Sequence, residues 1–167
     1  PGLCSNPVSQ RKSWASMKTL LIVYHSQSGA SAQLARAAWR GALEEAGVAV
    51  RVRRAWDAGT ADLAGADGLL LAMAENSGSI SGSMKDFMDR IFYPAIECGL
   101  VMPFALLVSA GNDGRGAVRQ ARRILSGIPF PAATEPLILR GEVTGEHLQA
   151  SEELGQAFAA GLTMGIF

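Results

Sequence analysis

Three short stretches of this 167-residue chain are rich in serine, glycine and asparagine, residue types suited to holding phosphates and polar ring edges. The first, His-Ser-Gln-Ser-Gly-Ala-Ser, spans 25–31, between the apolar run Leu-Leu-Ile-Val-Tyr and a helix-like pattern. Ser26, Ser28 and Ser31 offer hydroxyls, and Gly29 lets backbone amides approach a ligand closely. A following helix would add unpaired N–H groups and a partial positive charge. A phosphate site is one interpretation; a capped turn without a ligand is the other.

The second and third stretches suit a flat heterocycle with polar edges and apolar faces. Residues 75–82 read Glu-Asn-Ser-Gly-Ser-Ile-Ser-Gly, and residues 109–114 read Ser-Ala-Gly-Asn-Asp-Gly. Each also has a simpler interpretation: a solvated connection in which Ser81 or Ser83 caps the next helix, and a tight turn with positive φ. At the end of the first strand pattern, His25 is more typical of a structural hydrogen bond than of proton transfer.

The elements that must position these stretches alternate between strand-like and helix-like patterns. The strands are predicted at 19–24, 48–53, 69–74, 104–108 and 134–139, and the helical patterns at 31–46, 57–66, 84–96, 117–125 and 146–161. Ser31 is the predicted N-cap of the first helix, and Gly47 its end.

This alternation predicts a three-layer, doubly wound α/β fold with a five-stranded parallel sheet in the order 2-1-3-4-5. The three polar stretches follow the first, third and fourth strands. In such a sheet, ligands bind beyond the carboxyl ends of the strands at the topological switch point. We therefore expect the three loops to meet there, which favours the ligand-binding interpretation of all three.

Composition limits the classes of function. The chain is 49% hydrophobic and 18% charged, and its 15 basic residues equal its 15 acidic ones. This balance favours neither nucleic acid nor an anionic membrane as a partner. No apolar stretch approaches the ~20 residues needed to span a bilayer.

The length predicts a single domain, for which we expect the boundaries 17–167. Residues 1–16 lack the apolar core of a signal peptide and directly precede Met17, so we interpret them as a leader outside the fold. Cys4 and Cys98 form no metal-ligand or CxxC pattern. A free Cys98 and a cytoplasmic protein are expected.

Taken together, the motifs resemble those of flavodoxin-like proteins. HSQSGAS is similar to their phosphate loop, and SAGNDGRGA to their third flavin loop. AENSGSISGSMKDFMDRI is similar to the segment after the third strand in the NAD(P)H-dependent flavin and quinone reductases of that superfamily. The resemblance covers Lys18 to Phe167.

The resemblance implies an FMN-binding oxidoreductase that takes electrons from NAD(P)H and reduces quinones or related small acceptors, with no catalytic side chain assigned. It implies a phosphate site formed by Ser26, Gln27, Ser28, Gly29, Ala30 and Ser31. It implies that one side of the isoalloxazine ring is bordered by Glu75, Asn76, Ser77, Gly78, Ser79 and Ile80. The other side would be bordered by Ser109, Ala110, Gly111, Asn112, Asp113 and Gly114.

The sequence departs from the flavodoxin pattern in two ways that bear on the alternative functions. Ala30 stands where flavodoxins often have asparagine, and neither ring loop contains Trp or Tyr. The missing aromatics count against a flavodoxin-type electron carrier and suggest a homo-oligomer in which a second subunit adds ring contacts. A non-catalytic flavin-binding or interaction module is the other alternative. Same-fold phosphatases would need a cysteine in the first loop, and receiver domains an aspartate where Ala72-Met73-Ala74 stands.

Overall fold

The computed structural model describes residues 17–167, in which strands and helices alternate along the chain. In chain order they are β1 (Lys18–Tyr24), α1 (Ala30–Leu43), β2 (Val48–Arg54), α2 (Thr60–Ala64), β3 (Gly68–Asn76), β4 (Ser79–Ile80), α3 (Gly82–Glu97), β5 (Phe104–Ala110), α4 (Arg115–Gly127), β6 (Leu137–Arg140) and α5 (Gly145–Met164).

The sheet has the predicted doubly wound arrangement. Its parallel strands follow the order β2-β1-β3-β5-β6, which is the predicted 2-1-3-4-5 once the short β4 is left out. β4 pairs antiparallel with the end of β3 through Glu75↔Ile80 and Asn76↔Ser79. The sequence pattern predicts a polar connection here without a strand, and the hairpin corrects that expectation. The α/β fold class is confirmed.

Both faces of the sheet are covered, which explains the unbroken apolar runs of β1 and β3. Leu20, Ile22 and Leu70 pack in the core that includes residues of α1 and α5. Leu21, Val23, Leu69 and Leu71 pack in the other core, with residues of α2, α3 and α4. The alternation of side chains along each strand therefore places helices on either side and gives three layers.

α1 and α5 touch at backbone distance through two glycines. A β-carbon at position 41 would overlap the carbonyl oxygen of Glu152, and one at position 155 would overlap the carbonyl oxygen of Ala38. Any larger residue at either position would push the helices apart. The axis of α1, and with it the position of its N-terminus, is therefore set by α5.

Several predicted boundaries were wrong. α1 begins at Ala30 with Gly29 as its N-cap, so Ser31 is not the cap, and the helix ends at Leu43 rather than at Gly47. The last strand runs from Leu137 to Arg140 instead of 134–139. Pro136 precedes it, and a proline has no N–H to donate to a sheet, which explains the later start.

Cys98 is disulfide-bonded in the structure, so the prediction of a free Cys98 was wrong. The interpretation of residues 1–16 as a leader lies outside the described residues. Within 17–167, none of the helices combines the length and the hydropathy that a membrane span requires.

Candidate functional site

The three polar loops meet at the carboxyl edge of the sheet, as the strand order predicts. The Asn76 side-chain amide donates to Gln27 Oε1 at 2.9 Å, which joins the first loop to the second. The Glu75 carboxylate accepts hydrogen bonds from the backbone at Gly114 and Gly116, which joins the second loop to the third. Residues far apart in sequence therefore form one continuous surface.

The first loop leaves the start of α1 open to a ligand. Gly29 has a φ of 98°, in the left-handed region, and its N–H donates to Ser26 Oγ at 3.1 Å. The first backbone bond of α1 runs from Gln33 N–H to the Gly29 carbonyl at 3.1 Å. The amides of the preceding first turn therefore have no intrahelical acceptor, and they carry the positive end of the helix dipole.

Ser31 lies in that first turn with an unusual hydroxyl. The residue is only 2% exposed, and its Oγ has no hydrogen-bond partner among the described residues. A buried polar group without a partner is unfavourable unless something else supplies the bond. A phosphate oxygen at the helix N-terminus would accept both this hydroxyl and the open amides, so the residues present fit a phosphate group.

The second loop is a tight hairpin. Ser77 and Gly78 have φ values of 50° and 75°, as a two-residue turn with left-handed central residues requires. The Ile80 N–H donates to Gln120 Oε1 of α4 at 2.9 Å. The hairpin is therefore fixed to α4 and leaves Ser77 and Gly78 exposed at its tip.

Glu75 has a structural role in addition to the predicted contact with the flavin ring. Its carboxylate accepts backbone N–H bonds from Gly114 at 3.2 Å, Gly116 at 2.9 Å and Ala117 at 3.2 Å. A negative charge at this position satisfies the open amides of α4 and complements the positive end of the helix. The carboxylate thus holds the third loop in place. A contact between Glu75 and a flavin ring stays a prediction.

The third loop presents backbone to the surface. Gly111, Asn112 and Asp113 are exposed, whereas Ala110 and Gly114 are buried. Asp113 Oδ1 accepts from the Arg115 N–H at 3.0 Å, and Gly114 has a φ of 71° as the N-cap of α4. The predicted turn chemistry is therefore present, on a loop that stands beside the hairpin.

His25 is the first residue of the first loop and is largely buried. Its backbone N–H donates to the Ala72 carbonyl at 3.1 Å, and its ring meets that of Trp56 edge-on, with centroids 5.9 Å apart. Its Nδ1 has no hydrogen-bond partner among the described residues. Burial lowers the pKa of His25 below its ordinary 6.5, because the charged imidazolium loses hydration.

That shift predicts a pH dependence of folding. The unfolded chain binds the His25 proton more readily than the folded one, so stability should fall as pH drops through 6.5 and level off below the folded pKa. His25→Gln should reduce this fall between pH 7.5 and 5, measured by urea unfolding at several pH values. His147→Gln, which changes the half-buried histidine of α5, is the control; an equal fall in wild type and His25→Gln would contradict the prediction.

The end of β2 contributes two residues that the sequence analysis did not assign to the site. Arg54 and Trp56 line a cavity of about 310 Å³ whose other wall includes His25, Ser26 and Gln27. The guanidinium of Arg54 lies 5.1 Å from the centre of the Trp56 ring. The sequence signal was the Arg-Arg-Ala-Trp run at 53–56, which begins at the end of the alternating strand.

Comparison with known proteins gives a family match. A family model for NADPH-dependent FMN reductase matches residues 50–139, more than half of the chain. The matched region contains the second and third loops and the end of β2, and it excludes the first loop. A search of curated protein sequences finds no match.

Solved structures share the fold. A flavodoxin from the domain Archaea aligns with a TM-score of 0.75 at 21% identity, covering 86% of this chain and 98% of that one. A WrbA-like flavodoxin from Agrobacterium tumefaciens aligns with a TM-score of 0.72 at 16% identity, covering 88% and 98%. The flavodiiron core of Flv1 from Synechocystis sp. PCC6803 gives a TM-score of 0.76 at 20% identity, over 90% of this chain and 37% of that one.

Proposed function

The chain belongs to the NADPH-dependent FMN reductase family, and from that premise we propose that this FMN-binding, flavodoxin-like oxidoreductase uses NAD(P)H to reduce quinones or related small acceptors. The observation that carries the proposal is the meeting of three polar loops at one edge of the sheet, with an unpartnered buried hydroxyl at the helix start. When bound, FMN would supply the redox chemistry between the nicotinamide donor and the acceptor.

The first loop would hold the FMN phosphate. Residues 26–31 contain no lysine or arginine, so the charge would be balanced by the first-turn amides of α1 and by hydroxyls. Ser31 Oγ, together with the loop hydroxyls of Ser26 and Ser28, can donate to phosphate oxygens. Ser26 Oγ also fixes the loop by accepting the Gly29 N–H.

The second and third loops would border the isoalloxazine ring. The exposed hairpin tip at Ser77–Gly78 and the exposed backbone at 111–113 offer amides and carbonyls to its polar edge. Because Glu75 bonds the start of α4, the two loops form one rigid support. Their role is to orient the ring and to leave one face open to donor and acceptor.

Titration of the apoprotein with FMN, followed by NADPH oxidation with a panel of quinones, tests the proposal. We expect binding of FMN with a stoichiometry of one per chain and NADPH oxidation that requires both FMN and an acceptor. Failure to bind FMN would refute the proposed site. Binding without NADH or NADPH oxidation, for any acceptor, would favour an electron carrier or a non-catalytic module.

Ser31 offers a direct test of the phosphate site. Ser31→Ala should lower FMN affinity by about tenfold, equivalent to about 1.4 kcal/mol for a hydrogen bond to a charged group. The apoprotein should keep its thermal stability, because the lost hydroxyl has no partner in the chain. Calorimetry with FMN and thermal unfolding without it measure the two effects.

Ser151→Ala is the matched control. Ser151 is equally buried in α5, but its Oγ donates to the His147 carbonyl at 2.8 Å. We expect the opposite pattern: lower stability of the apoprotein and unchanged FMN affinity. A Ser31→Ala protein that binds FMN as wild type does would remove this hydroxyl from the site.

We also propose that the protein forms a homo-oligomer and works in the cytoplasm. The ring loops lack Trp and Tyr, which favours additional ring contacts from a second subunit. We propose a cytoplasmic location because NAD(P)H is supplied there. The cysteines do not support this location, since Cys98 is disulfide-bonded. Light scattering with and without FMN, and cell fractionation, test these two points.

A further inference from the structure

The solvent-facing side of α4 carries arginines and no acidic residue. Its exposed arginines are Arg115, Arg119, Arg122 and Arg123. Its buried residues, which pack in the core, are Ala117, Val118, Ala121 and Leu125. Gln120 of the same helix accepts from the Ile80 N–H of the hairpin, so the rotation of α4 is fixed. The arginines therefore form a stripe in a set position, the basic face of α4.

Three of these arginines have no ionic partner among the described residues. Arg122 donates to Glu135 Oε2 at 2.9 Å. Within residues 17–167, Arg115, Arg119 and Arg123 form no ion pair. Asp113 lies next to the helix start, but its Oδ1 accepts from the backbone N–H of Arg115. Most of the positive charge on this face is therefore uncompensated.

The arrangement opposes the stability of the helix. Arg119 is four residues from both Arg115 and Arg123, so like charges are neighbours on one side of α4. Arg115 is also the first residue of the helix, where the dipole disfavours a positive charge. On α3, by contrast, the exposed cations are paired with aspartates four residues away. An anionic partner explains the basic face of α4 better than solubility does.

We propose that the basic face of α4 docks an acidic segment of a partner protein. Arg115, Arg119 and Arg123 follow one line of the helix at intervals of about 6 Å, because four residues rise by that distance. Carboxylates at every fourth position of an acidic helix have the same spacing, and a guanidinium can bind a carboxylate through two parallel hydrogen bonds. The inference goes beyond the proposed function and does not depend on FMN.

Other polyanions fit the basic face less well. Its exposed residues include no aromatic side chain on which the bases of a single strand could stack, and no large apolar one that could enter a membrane. The net charge of zero gives nucleic acid no long-range attraction to the whole chain. Arg122 binds the carboxylate of Glu135, the group that the proposed partner would present.

The test measures the binding of two synthetic helical peptides to the whole chain by calorimetry at low salt. One peptide carries glutamates at every fourth position, and the other carries the same number distributed around the helix. We expect the first to bind about tenfold more tightly and its affinity to fall with added salt. Arg119→Gln combined with Arg123→Gln should lower that affinity about tenfold. The melting temperature should not fall, because the double variant relieves like-charge repulsion.

Arg36→Gln is the control, since it removes an exposed arginine of α1 on the other side of the sheet and should leave peptide affinity unchanged. Equal affinity for the two peptides, or a peptide affinity that the double variant does not change, would overturn the inference. Duplex DNA, phosphatidylserine vesicles and NADPH are titrated in parallel. If the double variant loses affinity for one of these and not for the peptide, the face belongs to that ligand and the inference is wrong.

Discussion

Replacing Gly116 by alanine should destabilise the protein more than any other substitution at this site. A β-carbon at position 116 would overlap the Gly78 carbonyl oxygen and lie 3.2 Å from Glu75 Oε2. The obstacle is backbone at a tight turn, so it has little room to move, and we expect a loss of about 3 kcal/mol. For a chain of this size the melting temperature should fall by about 6–12 °C.

The same substitution should weaken FMN binding, because the start of α4 can no longer lie against the hairpin. Thermal unfolding and FMN calorimetry on one preparation measure both effects. Gly82→Ala is the matched control: Gly82 begins α3, and a β-carbon there meets nothing within 4 Å. Equal stability of Gly116→Ala and Gly82→Ala would show that the hairpin and α4 are not held at contact distance.

Glu75→Gln should have the second largest effect. The substitution keeps the side chain's size but removes the charge and turns one of two acceptor oxygens into a donor that faces backbone N–H groups. Hydrogen bonds to a charged group and its interaction with a helix start together suggest a loss of about 2 kcal/mol. We expect FMN affinity to fall about tenfold, since the third loop loses its anchor.

Urea unfolding and FMN titration of Glu75→Gln provide the measurement, and Glu97→Gln provides the control. Glu97 is the exposed last residue of α3, at the other end of that helix from the hairpin. Added salt should narrow the difference between wild type and Glu75→Gln, because screening weakens charge–dipole interactions. A Glu75→Gln protein that keeps wild-type stability but loses FMN affinity would instead place Glu75 in direct contact with the ligand.

The fold could be predicted from the sequence because its signals are regular. Continuous apolar runs at β1 and β3, between helical stripes, specify buried parallel strands, and their number and spacing specify the winding. The convergence of the three loops follows from that topology alone. Boundaries were harder, since Gly29 rather than Ser31 caps α1 and left-handed backbone at a glycine leaves little trace in the sequence pattern.

The contacts within the site could not be predicted, because they join residues distant in sequence. Glu75 and Gly116 are 41 positions apart, and nothing local indicates that the carboxylate bonds the start of α4. Arg54 and Trp56 were not assigned to the site because Arg54 ends an edge strand and Trp56 follows it, so neither lies in a glycine-rich loop. The sequence predicts that the Ser31 hydroxyl caps a helix. Only the structure shows that it is buried without a hydrogen-bond partner among the described residues.

The contact of Gly41 and Gly155 with the backbone of the opposite helix also has a consequence during synthesis. On the ribosome, the segment around residue 155 is made more than a hundred residues after α1, so the nascent α1 lacks its α5 contact until that segment has been synthesised. FMN binding at the start of α1 should therefore follow the synthesis of α5. Stalled or prematurely terminated products should emerge as apoprotein.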